Sequence, residues 1–87
     1  MAYRVEIIRA AQKQMLSLPR KVQLELVNSI DELADFPRPS HCKKLRGSDL
    51  WRLKTGRYRV VYSIDDDNKQ ITILKVALRN EDTYRGV

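Results

Sequence analysis

Between positions 43 and 59 stand Lys43, Lys44, Arg46, Arg52, Lys54, Arg57 and Arg59, against a single acid, Asp49. Their spacing matters more than their number. Arg52 and Lys54 are two residues apart, so on a strand they share one face while Trp51 and Leu53 point to the other. Arg59 lies on the next strand-like segment and Arg79 ends the last one, so both can join that face once the strands pair. For any one of these residues a solvated strand face is the simpler reading. For the set it is less comfortable, because like charges on adjacent strands repel. A cluster kept at that cost favours an anion, and guanidinium forks and ammonium groups fit phosphate.

If the phosphate belongs to RNA, metal-free cleavage needs three things. A base takes the proton from the 2′-hydroxyl, cations stabilise the charged phosphorane, and an acid or cation serves the leaving 5′-oxygen. A histidine pair is excluded, since His41 is the one histidine. Cys42 beside it makes a weak dyad, because adjacent side chains rarely face each other and both sit in the proline-bounded stretch PRPSHCKK. A two-metal centre needs clustered carboxylates. Asp65-Asp66-Asp67 is the sole acidic cluster, and with Asn68 it reads as a turn, where Asp is favoured for backbone reasons. No metal and no cofactor are expected. Lysine serves as a base when neighbouring cations depress its pKa, and Lys54 has Arg52 beside it. Arginine stays protonated, which suits Arg52 and Arg59 to phosphate stabilisation and Arg79 to the same task near the leaving group. Lys43, Lys44, Arg46 and Arg57 are candidates for contacts to the RNA backbone. Trp51, Tyr58, Tyr62 and Tyr3 fit core positions by alternation. Tyr84 has no apolar periodicity around it, and can equally cap the core or stack on a base.

The elements that must position these residues follow from periodicity. Tyr3 to Ile8 alternates with the period of a strand. Ala11, Met15 and Leu18 fall at helical spacing before Pro19, and Val22, Leu26, Ile30 and Leu33 define a second helix, with Val27, Ala34 and Phe36 widening its stripe. Pro37 to Asp49 is polar and carries prolines, and reads as a loop. Leu50–Thr55, Arg57–Ile64 and Gln70–Arg79 read as strands, separated by Gly56 and by the Asp65–Asn68 turn. The order predicts an α+β fold: an N-terminal strand, an antiparallel two-helix hairpin, then a three-stranded antiparallel meander with the hairpin on one face. The other face is left open to solvent or ligand.

Composition bounds the remainder. The chain has 87 residues, enough for one domain spanning 1–87, and its 43% hydrophobic content is ordinary for a globular protein. Seventeen Lys+Arg against eleven Asp+Glu leave a net charge of +6, which attracts polyanions or an acidic partner. One cysteine cannot form an internal disulfide, and one Cys with one His cannot build a structural zinc site. No apolar run is long enough to span a membrane, and MAYRVEII lacks the pattern of a secretory signal, so a cytoplasmic protein is expected.

Two segments resemble a known family. KKLRGSDLWRLKTGRYRVVYSI (Lys43–Ile64) and LKVALRNEDTYR (Leu74–Arg85) are similar to the KLRG, basic–aliphatic–basic, G-YR-(V/L)(V/I)Y and closing hydrophobic…R…Y stretches of the RelE/ParE toxin superfamily. The opening strand, the A…L..LP helix, the second helix and the proline-bearing loop extend the likeness over nearly the whole chain. The resemblance implies a microbial-ribonuclease-like RelE fold and a toxin of a type II toxin–antitoxin pair. In the RelE branch that means an endoribonuclease which enters the ribosomal A site and cuts messenger RNA, leaving a 2′,3′-cyclic phosphate. On this basis Lys54 is implied as general base and Arg79 as general acid or leaving-group stabiliser. Arg52 and Arg59 then hold the phosphate and Tyr84 stacks on the base. The implied partners are a RelB-like antitoxin in a hetero-oligomer, the ribosome and messenger RNA. The alternative within the superfamily is a ParE-like chain without nuclease chemistry that poisons DNA gyrase. ParE-type chains usually lack part of the set Arg52, Lys54, Arg59, Arg79 and Tyr84, so its presence favours the nuclease.

Overall fold

The structure is a computed structural model that describes residues 2–78, so the expectations placed on Arg79 and Tyr84 fall outside the described residues. In chain order the elements are β1 (Arg4–Ile7), α1 (Arg9–Leu16), α2 (Arg20–Leu33), β2 (Cys42–Lys44), β3 (Leu50–Thr55), β4 (Tyr58–Asp65) and β5 (Gln70–Leu78). They form an α+β fold in which the five strands make one sheet, in the order β1-β5-β4-β3-β2. The meander β3–β4–β5 is antiparallel, and β1 joins β5 in parallel, Val5 opposite Ile71.

Alternation decides which face is covered. Leu53 on β3, Val60 and Tyr62 on β4, and Ile71, Ile73 and Val76 on β5 point to the helices, where they meet Ala11 and Met15 of α1 and Leu26, Ile30 and Leu33 of α2. Each fully buried side chain of this kind contributes roughly 1.5–3 kcal/mol relative to exposure. The stripe on α2 is narrower than its sequence predicts. Val27 and Phe36 are 41% and 68% exposed. Val27 is turned about 100° around the helix from Leu26, and Phe36 lies beyond the last helical residue. Packing on a single sheet face needs only the line through Leu26, Ile30 and Leu33.

Two departures from the expected pattern bear on function. The segment expected as a loop from Pro37 to Asp49 contains β2, whose three residues pair antiparallel with β3: Cys42 with Leu53, Lys43 with Arg52, Lys44 with Trp51. Three residues are too few to display an alternation, and the pairing is supplied by the otherwise open edge of β3. The second departure is a bulge in β5. Val61 pairs with Lys75 but Tyr62 pairs with Ile73, which leaves Leu74 without a partner. The extra residue switches the parity of the strand. Ile71 and Ile73 face the core before it and Val76 after it, so Lys75 and Ala77 turn to the open face. The Val76 amide, aimed away from the ladder, donates to Gln14 Oε1 of α1 at 2.7 Å.

At the β4–β5 turn the acids are structural. Asp65 accepts the Asn68 amide at 3.1 Å and its side-chain nitrogen at 2.9 Å. Asp66 accepts both terminal nitrogens of Arg38, at 3.3 and 2.8 Å, together with the Tyr3 hydroxyl. Arg38 lies 5.2 Å over the Trp51 ring and Lys69 5.1 Å over the Tyr3 ring. One carboxylate thus ties the turn to the N-terminal strand and to the segment after α2. The Arg38 guanidinium, then the Tyr3 hydroxyl, hold the Asp66 carboxyl down at about 2.

Candidate active site

The hairpin β3–β4 sets the geometry of the open face. Its connection is the two-residue turn Gly56–Arg57, with Thr55 paired to Tyr58. Gly56 has φ +59, a conformation that costs a residue with a Cβ roughly 1–2 kcal/mol. This tight turn fixes the register that makes Lys54 and Arg59 direct cross-strand neighbours. Side chains so placed have Cβ atoms about 4.5–5.5 Å apart. Two residues further along the strands, Lys43, Arg52, Val61 and Lys75 form the next row across β2, β3, β4 and β5.

Arg59 is the unusual member. It is 4% exposed, the one buried charged side chain among the described residues. Its Nη1 donates to the carbonyl oxygens of Tyr58 at 3.0 Å and Gly56 at 3.3 Å. No carboxylate lies within ion-pair distance among the described residues, and the same holds for Arg52 and Lys54. Removing a cation from water costs several kcal/mol unless an anion compensates it. The turn carbonyls orient the guanidinium but carry only partial charge. Lys54 is exposed opposite it and Arg52 is half-buried.

The other candidates divide. Lys43 shares the face of Arg52, whereas Lys44 pairs with Trp51 on the helix-covered side and lies 4.0 Å from Asp49. Arg46 is exposed in the β2–β3 connection, and an open groove of about 530 Å³ is lined by Lys43, Lys44, Leu45, Arg46 and Arg52. Arg57 is exposed in the hairpin turn. His41 is exposed, and Cys42 is partly buried opposite Leu53, packed against the core. The Tyr62 hydroxyl donates to the Pro37 carbonyl at 2.8 Å, and burial raises its pKa far above the ordinary tyrosine value. Among the described residues no three His, Cys, Asp or Glu side chains converge as metal ligands. No helix in them is long and apolar enough to cross a membrane.

One cation on this face escapes the sequence. Strict alternation from Ile71 and Ile73 assigns Lys75 to the core side, and only the bulge brings it round. The adjacent apolar pair Ile73-Leu74, breaking the period, is the signal that marks it.

Comparison with known proteins gives a consistent result. The family model described as the ParE toxin of the type II toxin–antitoxin system parDE matches residues 5–83. A Methanocaldococcus jannaschii protein named as the toxin RelE1 is 32% identical over 90 residues, covering 99% of each chain. A chain of the archaeal RelE–RelB complex from Pyrococcus horikoshii superposes with a TM-score of 0.84 at 36% identity, over 93% of this chain and 99% of that one. A chain of the RelBE2 toxin–antitoxin complex from Mycobacterium tuberculosis gives 0.83 at 27% identity, over 91% and 100%.

Proposed function

The chain belongs to the ParE toxin family of type II toxin–antitoxin systems, and from that membership we propose that it is a metal-independent endoribonuclease that cuts messenger RNA in the ribosomal A site. The observation that carries this reading is the pairing of exposed Lys54 with buried Arg59, on a face where neither has a carboxylate partner among the described residues. Such a pair fits one phosphate between a proton acceptor and a fixed cation. Lys54 Nζ takes the proton of the 2′-hydroxyl, and the 2′-oxygen forms its bond to phosphorus as the bond to the 5′-oxygen breaks. Arg59 and Arg52 hold the non-bridging oxygens, where charge grows. Arg79 protonates or stabilises the leaving 5′-oxygen, and Tyr84 stacks on the base at the cut, roles that rest on the family resemblance. The product is a 2′,3′-cyclic phosphate.

A basic face of this kind needs a cover when idle. A RelB-like antitoxin, forming a hetero-oligomer with this chain, fits that need in the cytoplasm where ribosomes are found. The relatives from Pyrococcus horikoshii and Mycobacterium tuberculosis were both solved as toxin–antitoxin complexes, which supports the assignment. On this reading Lys43, Arg46 and Arg57 contact the RNA backbone, and Lys44, on the helix-covered side, makes at most a contact at the groove edge.

The test is to map messenger RNA ends in a translating extract after adding the purified protein, with Arg79→Ala alongside. New ends within A-site codons, absent from naked RNA and from the variant, are the expected result. No new ends from folded, antitoxin-free protein would sink the nuclease and move the weight to gyrase poisoning.

A further inference from the structure

The bulge at Leu74 places a lysine where neither alternation nor the family motifs put one. Lys75 stands opposite Val61 on β4, and Val61 in turn stands opposite Arg52 on β3. Val61 is fully buried, an apolar floor between the two cations. Relative to Arg59, whose direct partner on β5 is Ala77, Lys75 is the diagonal neighbour two residues back. Two spacings therefore coexist on this face. Direct partners such as Lys54 and Arg59 sit about 5 Å apart and can converge on one phosphate. Diagonal partners such as Arg59 and Lys75 sit about 7–8 Å apart, too far to share one phosphate closely but comparable to the separation of consecutive phosphates in an extended single strand.

We propose that Lys75 holds the phosphate next to the one that is cut, so that the RNA backbone runs along the strands, from Lys54–Arg59 toward Arg52–Lys75. This rests on the nuclease reading and adds to it a direction and a second phosphate. The face supports a short track. The row after Lys75 holds Ser63 opposite Thr72, and Thr72 is opposite Glu6 on β1, so the run of cations is interrupted there; Arg4, one row beyond, is hydrogen-bonded to Gln70 at 2.9 Å. A lysine suits the position because an ammonium acts as a point charge and needs no bidentate alignment, whereas the reacting phosphate is met by the rigid arginine fork.

The experiment uses purified ribosomes programmed with a synthetic messenger carrying one neutral methylphosphonate linkage, placed one nucleotide before or one after the cut. Wild type, Lys75→Met and the rescue variant Lys75→Arg are compared under single-turnover conditions, with folding checked by circular dichroism. On unmodified messenger Lys75→Met should fall by about tenfold or more, the scale of one hydrogen bond to a charged group. Lys75→Arg should recover most of the loss. At one of the two flanking positions the neutral linkage should slow wild type by a similar factor and slow Lys75→Met no further, because the partner is already gone. A merely structural lysine would show penalties that multiply at both positions. That outcome, or full activity in Lys75→Met, overturns the assignment and leaves the nuclease standing. No cleavage by wild type overturns both.

Discussion

At one end of β4, Asp65 and Asp66 meet Asn68, Arg38 and Tyr3; at the other, Arg59 has, among the described residues, only the carbonyls of Gly56 and Tyr58. The first region answers charge with charge, and its arrangement is complete without any further molecule. The second holds a buried cation and two neighbouring ones without an acid among the described residues. The contrast teaches where stability and function part company. Compensated charges fasten the fold, whereas uncompensated charges cost stability and are retained for something that arrives.

The comparison breaks first at Lys54. Lys54→Ala should lower the cleavage rate by at least about a hundredfold, the range of a lost general base. The same variant should melt at the wild-type temperature or slightly above it, since it removes a like charge beside Arg59. Undiminished cleavage would take Lys54 out of the mechanism, and a large drop in Tm would show that it holds the fold. Gly56→Ala comes next, with an expected cost of roughly 1–2 kcal/mol read from denaturant unfolding, because the turn requires φ +59 while open space surrounds the added methyl. A cost near zero would mean that the hairpin relaxes, and Arg59 would then lose its fixed acceptors.

At the other end the signs reverse. Asp66→Ala should lower Tm while leaving cleavage unchanged, and lost cleavage would revive a carboxylate or metal in the mechanism. Acid titration sharpens the point. Asp66 falls from an ordinary 3.8 to about 2 in the folded protein, so its contribution is fully present above 3.8 and is lost as pH falls toward 2. Stability of Asp66→Asn should therefore depend less on pH between those limits than that of wild type. The smallest expected effect is that of salt. Added salt should raise Tm slightly in wild type by screening the open face, and less so in Lys54→Ala.

Much of this was legible in the sequence because strand alternation reports faces directly. Trp51 and Leu53 against Arg52 and Lys54, and Tyr58, Val60, Tyr62 and Ile64 against Arg59 and Val61, fall as the period predicts. What was not legible depends on partners distant in sequence. The strand at Cys42–Lys44 exists because β3 offers an edge, and its register, not its composition, separates Lys43 from Lys44. The parity switch at Leu74 moves Lys75 without changing any residue type. Asp66 was read as a turn residue, and it is one, but its bonds to Arg38 and Tyr3 span 28 and 63 positions and leave no local trace.

The parallel pairing of β1 with β5 has a consequence in time. The first described strand in chain order takes its sheet partners, Gln70 to Ile73, from the last described strand. At about 5–20 residues per second, Val5 and Ile7 wait several seconds for their places while the intervening chain emerges. The β3–β4 hairpin, by contrast, closes through a two-residue turn and needs nothing beyond its own length. The local piece that carries Lys54 and Arg59 can thus form before the sheet is complete, and the first strand in chain order is the last to be seated.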